Sequence, residues 1–433
     1  MRDVPRESMR NGIMIRRSNG KEKRRLSVLL LLVSGLLAGC GFKQEPVEIT
    51  LIHGFGTSEA THVAMRQIYQ DFEKEHPDIK LHMISMPSSE DVVEKVENML
   101  AVGKVPDVIF TAGEGKDSIY DYMIAHGKAV NLMPYLEADE AFYENVSPLI
   151  FDTWKTEQGE LYTVSDVLFM VGYWYNRSLF EQAGIRQIPK NWEEFEQVCQ
   201  QLKRIDGQKQ PMMLDGEHIV YLTSLILHEA YGYDLEKVQK NFMELQMPGV
   251  QKALEQLREI TQHTDILDAY SFRDALDAFN KEETAIYING VWGNYLIDQA
   301  LDVGYASFPS ANGESVSMVS SCIGYLLGNT KDEKKIEASI EFLKYMLSEP
   351  VAYRILEETG QLPSNPKVEI SEELANGRLY DAVEKTKEAD HYIEVPANLW
   401  SRKIQTAYGQ NLIMYMEDKI SIEEMHKNLE GLF

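Results

Sequence analysis

The spacing of apolar residues changes several times along this 433-residue chain, and each change predicts an element. Residues 47–56 (VEITLIHGFG) read as a buried strand that ends in a loop at Gly54 and Gly56. Met65, Ile68, Tyr69 and Phe72 then recur at helical spacing until His76-Pro77 stops them. In IKLHMI the period falls to two, with Ile79, Leu81 and Met83 on one face. A helix near residues 92–100 leads into DVIF, a third strand. Strands alternating with helices predict an α/β chain with a mainly parallel sheet.

Further along, the pattern is mainly helical. Asn191 followed by Glu194 is an N-cap with a capping-box partner, ahead of an apolar face of Trp192, Phe195, Val198, Cys199 and Leu202. ETAIYINGVWGN predicts a strand broken at Asn289-Gly290, and CIGYLLG another. Ile336, Ile340, Leu343 and Leu347 line a helix that runs to Pro350, and residues 399–432 are expected to be helical. Neither internal repeats nor low-complexity linkers occur.

The amino-terminal segment has a different pattern. Lys21, Lys23, Arg24 and Arg25 precede the apolar residues 26–38. That run is shorter than the roughly 20 residues a membrane-spanning helix needs, and a basic stretch before a short apolar core has the form of an export signal. Leu37-Ala38-Gly39-Cys40 resembles the lipobox of bacterial lipoproteins, which implies cleavage before Cys40 and lipidation of its sulfur. The alternative is an ordinary signal with a chance cysteine.

Charge then narrows the partners. The formal net charge is −25, and the first 39 residues hold nine Lys or Arg against three Asp or Glu, so the remainder is six units more negative still. Such a surface repels nucleic acid and anionic lipid headgroups. Roughly 390 residues beyond Cys40 exceed what one core organises, so two lobes are expected. Besides Cys40 only Cys199 and Cys322 occur, too few for a disulfide scaffold; a bridge between them is not expected.

Three segments carry a family resemblance. GYWYNRSLFEQAGIRQIPKNWEEF, AFNKEETAIYINGVWG and ASIEFLKYMLSEPVAYRILEETGQLPSNP resemble, in order, segments of the extracellular solute-binding proteins of ABC importers (family 1, which includes maltose-binding protein). The resemblance implies the type II two-lobed periplasmic-binding-protein fold, with discontinuous α/β lobes joined by strand crossovers near 168–172, 305–309 and 356–362. The expected division is a signal over 1–39, a lipidated linker over 40–45, one lobe of 46–168 with 309–358, and another of 169–308 with 359–433. It also implies a monomer anchored outside the cell membrane that delivers solute to a permease, with no catalysis, cofactor or metal.

The same resemblance proposes a site. Trp292, flanked by Gly290 and Gly293, matches a platform on which sugar rings stack, since their C–H faces suit an aromatic π face; the alternative is a core tryptophan. Trp400 matches a second platform by position. Ligands on parallel sheets bind beyond the carboxyl ends of strands, which selects Phe55, Thr57 and Ser58 after the first strand and Glu114 after the third. Thr57 or Ser58 has an alternative as a helix cap, and Glu114 as a solvated loop residue. Asp166 has a similar case, although Ser165 and Asp166 stand where the family often carries proline and tyrosine. His218 and Tyr221 lie on a helix that could reach the cleft.

Other functions fit less well. His228-Glu229 starts a zinc motif, but Gly232 stands where its second histidine belongs. Gly113-x-Gly115-x-x-Ser118 lacks the third glycine of a dinucleotide loop. A secreted hydrolase is the remote alternative. Among solutes, a mono- or oligosaccharide is expected; a polyol phosphate, polyamine or peptide is the alternative, the phosphate being disfavoured because Lys116 is the lone cation in the candidate loops.

Overall fold

The computed structural model describes residues 45–110, 119–205, 210–241, 248–266, 272–321, 323–373 and 377–430. Cys40, Glu114, Lys116 and Cys322 lie outside them. The chain divides into two units, Met1–Pro46 and Val47–Phe433. Only Glu45 and Pro46 of the first are described, and among the described residues every strand and helix belongs to the second.

Strands β1 (Val47–His53), β2 (Ile79–Ser85) and β3 (Val108–Phe110) form where the apolar pattern places them, and they pair in parallel with β1 in the middle. Helix α1 (Ala60–Glu75) joins the first two and buries Met65, Ile68, Tyr69 and Phe72. Helix α2 (Ser89–Ala101) leads to the third, and its N-cap Ser88 accepts a hydrogen bond from the Asp91 N–H. The sheet is completed by β4 (Thr163–Val164) and β11 (Tyr325–Leu327), in the order β2-β1-β3-β11-β4. The last two pairings are antiparallel, so only half of this sheet follows the parallel pattern.

A second sheet is built on the nine-residue β5 (Leu168–Asn176), in the order β12-β10-β5-β8, with β9 also pairing β5. Its other members are β8 (Ile286–Gly290), β9 (Val303–Ala306), β10 (Val316–Ser321) and β12 (His391–Ile393). The short β6 (Met213–Leu214) and β7 (Asp265–Ile266) pair separately. Helices α3 (Gly216–Ala230), α4 (Phe272–Asn280) and α5 (Arg402–Met416) belong to this half. The first sheet packs into one buried apolar core, and the second lies between two.

The chain passes between the sheets at 164–168, 321–325 and 355–362. The three passages are tied together: Ser321 pairs with Leu168, the Leu168 N–H donates to the Leu362 carbonyl at 2.9 Å, and the Ser364 N–H donates to the Asp166 carbonyl at 2.9 Å. The middle passage differs from the expected 305–309. Phe308 and Val316 exchange two 2.8 Å backbone hydrogen bonds around a turn containing Gly313, whose φ is +86°. VGYASFPS therefore stays with the second sheet, where β9 pairs β5, and of residues 309–321, expected with the first lobe, Val316–Ser321 form β10 on that same strand.

Two helical expectations are refined. Asn191 caps its helix by accepting from the Glu194 N–H at 2.8 Å, but Glu194 reaches back to the Lys190 N–H rather than to Asn191. The final run is three helices, Pro396–Leu399, α5 and Ile422–Leu429; the last starts at its own capping box of Ser421 and Glu424. Cys199 is a free buried thiol, and burial pushes its pKa up to about 12.

Candidate functional site

Beside the passages lies a cavity of ≈ 590 Å³, within the range of small-molecule sites. One wall is the start of β5, with Val167, Leu168, Phe169 and Val171. A second is the first turns of α3, with Glu217, Val220 and Tyr221. Trp292 and Tyr295 come from the 3₁₀ turn after β8, and Gln361 and Leu362 from the third passage. The remaining wall is a stripe along α5: Arg402, Gln405, Thr406, Gly409, Gln410 and Ile413.

Trp292 is half-buried and packs against Phe169, with ring centroids 4.9 Å apart and tilted by 48°. Its neighbours explain the pose. The indole folds back over Gly290, where any Cβ would overlap the ring, and a Cβ on Gly293 would sit 2.7 Å from Trp174 Nε1. Trp174 Nε1 in turn donates to the Gly290 carbonyl at 3.0 Å, pinning the strand end beneath Trp292. A glycine on each side thus lets one indole lie flat against the turn while another braces it.

The polar groups around the cavity are largely amides and hydroxyls. Gln405 Nε2 donates to the Trp400 carbonyl at 2.8 Å, and the Tyr221 hydroxyl donates to Glu217. Tyr295 faces Gln361 and Thr61 of α1, and burial raises its pKa. Arg402 Nη2 donates to Glu90 Oε1 of α2 at 2.8 Å. Among the described residues, no group of three or more His, Cys, Asp or Glu is placed to hold a metal.

Of the predicted site residues, Trp292 lines this cavity. Trp400 does not: it is 6% exposed and packs in the core of the second sheet, because the chain turns at Ser401 to start α5 and carries the indole inward. Phe55 is also core, stacked on Phe110 at 5.2 Å. Thr57 lies away from the cavity, its Oγ1 2.7 Å from His62 Nδ1 and accepting from the Glu59 N–H; Ser58 is exposed. Neither caps α1, whose N-cap is Glu59 without a side-chain bond. Tyr221 lines the cavity, whereas His218 is buried in a capping box with Asp215.

Asp166 is 2% exposed and its Oδ2 accepts from the Tyr325 hydroxyl at 2.7 Å; the Tyr325 oxygen stands 3.1 Å from the Tyr69 hydroxyl. Burial pushes the Asp166 carboxyl up to about 6. Its Oδ1 is buried without a partner, yet the cavity wall begins one residue later, at Val167.

The α5 stripe was missed in the sequence, although it has a signature. Positions 402, 405/406, 409/410 and 413 repeat at helical spacing, and four of the six residues there are polar, while Tyr408, Leu412 and Tyr415 occupy the buried face.

The sequence pattern of bacterial extracellular solute-binding proteins matches residues 67–381. An uncharacterised ABC transporter extracellular-binding protein of Pyrococcus horikoshii is 25% identical over 338 residues, spanning 76% of this chain and 75% of its own. The multiple sugar-binding protein of Streptococcus mutans is 23% identical over 372 residues, covering 78% and 84%. In fold, the chain is similar to a Streptococcus pneumoniae solute-binding protein solved with the blood group A-trisaccharide, with a TM-score of 0.75 and 23% identity over 89% of this chain and 99% of that one.

Proposed function

The chain belongs to the bacterial extracellular solute-binding proteins, and we propose that it is the saccharide receptor of an ABC importer. This family binds solutes and is not enzymatic. The observation that carries the sugar reading is Trp292, an indole held over a cavity whose other polar groups are mostly amides and hydroxyls. Such groups hydrogen-bond sugar hydroxyls, while the indole covers a ring face. The sugar-binding protein of Streptococcus mutans and the trisaccharide complex from Streptococcus pneumoniae support the same class.

In this reading the two halves are lobes, residues 47–167 with 323–355 and residues 168–321 with 356–430. Solute stabilises their closed arrangement by binding it more tightly than the open one, and the loaded receptor delivers to a permease. Residues 1–39 are removed on export, and a lipid on Cys40 holds the protein at the outer face of the membrane. Cys40→Ser is expected to release it into the medium; a variant that stays membrane-bound overturns the anchor.

The deciding experiment is thermal unfolding of the purified protein against saccharides, polyol phosphates, polyamines and short peptides. A ligand that binds only the folded state raises the midpoint by mass action. A shift confined to saccharides is expected. Shifts confined to another class keep the receptor and overturn the sugar assignment.

A further inference from the structure

Two arginines of the second half are placed where their own helices disfavour them. Arg402 is the first residue of α5 and Arg273 the second residue of α4, and a cation at a helix N-terminus opposes the helix dipole. Each is paired with a glutamate of the first half. Arg402 Nη2 lies 2.8 Å from Glu90 Oε1, and Arg273 Nη2 lies 3.0 Å from Glu59 Oε1. Glu90 is in the first turn of α2 and Glu59 is the N-cap of α1, positions where an anion is favoured. Tyr295, from the same cavity wall as Trp292, faces Thr61 of α1.

Arg402 and Tyr295 join the helix starts of one sheet to the cavity wall of the other, while Arg273 makes its contact outside the cavity lining. With a net charge of −25, two strongly acidic halves repel each other, and each arginine offsets that repulsion at the line where they meet. Helix stability does not account for placing these cations here. A closing role does.

We propose that Glu90–Arg402 and Glu59–Arg273 form a charge latch that holds the two halves together over the cavity, with Arg402 a positioning residue for the captured solute. The proposal rests on the cavity being the solute site. Glu90 fixes the Arg402 guanidinium at the wall, so closing the halves and completing the wall are one event. The four side chains are 44–74% exposed, so salt screens the latch. Solute release therefore quickens as ionic strength rises, even for an uncharged sugar.

The test combines release kinetics with the ligand-free shape of the full chain. Glu90→Gln and Arg402→Gln are each expected to raise the saccharide off-rate about 2–5-fold and to flatten its salt dependence, the size of effect that exposed charge pairs produce. The exchange E90R/R402E restores much of the loss. Loss in R402Q with E90Q silent means that Arg402 serves the solute alone, and overturns the latch. Small-angle scattering of the ligand-free protein covers the other failure. If no saccharide binds, the receptor reading falls, but the latch still requires a larger radius of gyration in E59Q/E90Q and in wild type at high salt. An unchanged radius in both overturns it.

Discussion

The loop after β1 and the turn after β8 both end strands, and both carry an aromatic beside two glycines, yet they do opposite things. Phe55 turns inward onto Phe110, and its N–H is bonded to His53 Nδ1. Thr57 is engaged by His62, and Asp166 by Tyr325 and through it Tyr69. Trp292 is denied the interior because Trp174 already fills the space behind Gly293. It stays half-buried at a cavity. A chemically suitable residue serves a ligand only when its neighbours leave it facing one.

That contrast is sharpest between the two tryptophans. Trp400→Ala empties core volume and is expected to cost about 3–5 kcal/mol of stability, read by urea unfolding. Trp292→Ala is expected to weaken saccharide binding by about 1–3 kcal/mol, as loss of a buried anchor does, with a much smaller effect on the urea midpoint. If Trp292→Ala leaves affinity unchanged, the cavity loses its platform; if Trp400→Ala is stable but fails to bind, the contrast is reversed.

The buried polar set gives a pH test. Burial pushes Asp166 up to about 6 from an ordinary 3.8, so its folded-state proton contributes stability below about pH 4 that is lost as pH rises through 6. His53 is held down to about 4 from 6.5 by burial and by the Arg66 charge, so its contribution is full above about 6.5 and is lost as pH falls towards 4. On acidification from pH 7 to 5 the two oppose each other. Asp166→Asn removes one of them and is expected to lose stability more steeply than wild type over that interval, by about 1–2 kcal/mol. Parallel curves from denaturant melts at the two pH values break this account. Smallest of all, Thr57→Ala is expected to shift stability by less than about 1 kcal/mol and to leave saccharide affinity unchanged.

Much of the fold was legible because periodicity reports burial. Ile79, Leu81 and Met83 alternate, and β2 forms there; Met65, Ile68, Tyr69 and Phe72 repeat at helical spacing, and α1 buries all four. Asn191 was readable as a cap because capping is local chemistry within three residues. Trp292 was readable because the glycines that leave it half-buried are its sequence neighbours. Periodicity is silent about partners. VGYASFPS looked like a passage between lobes, but a strand's pattern does not say which sheet receives it, and β10 joined β5.

Trp400 and Arg402 show the same division within three residues. Their side chains were plain in the sequence, one apolar and large, the other charged. Composition and local spacing determined the strands, the helices and the half-buried indole of Trp292, because those depend on neighbours a few residues away. Only the tertiary structure decided that Trp400 is core and that Arg402 reaches Glu90. Those outcomes depend on how α5 is rotated against the second sheet and on α2, 312 positions earlier, and no local pattern encodes contacts over that distance.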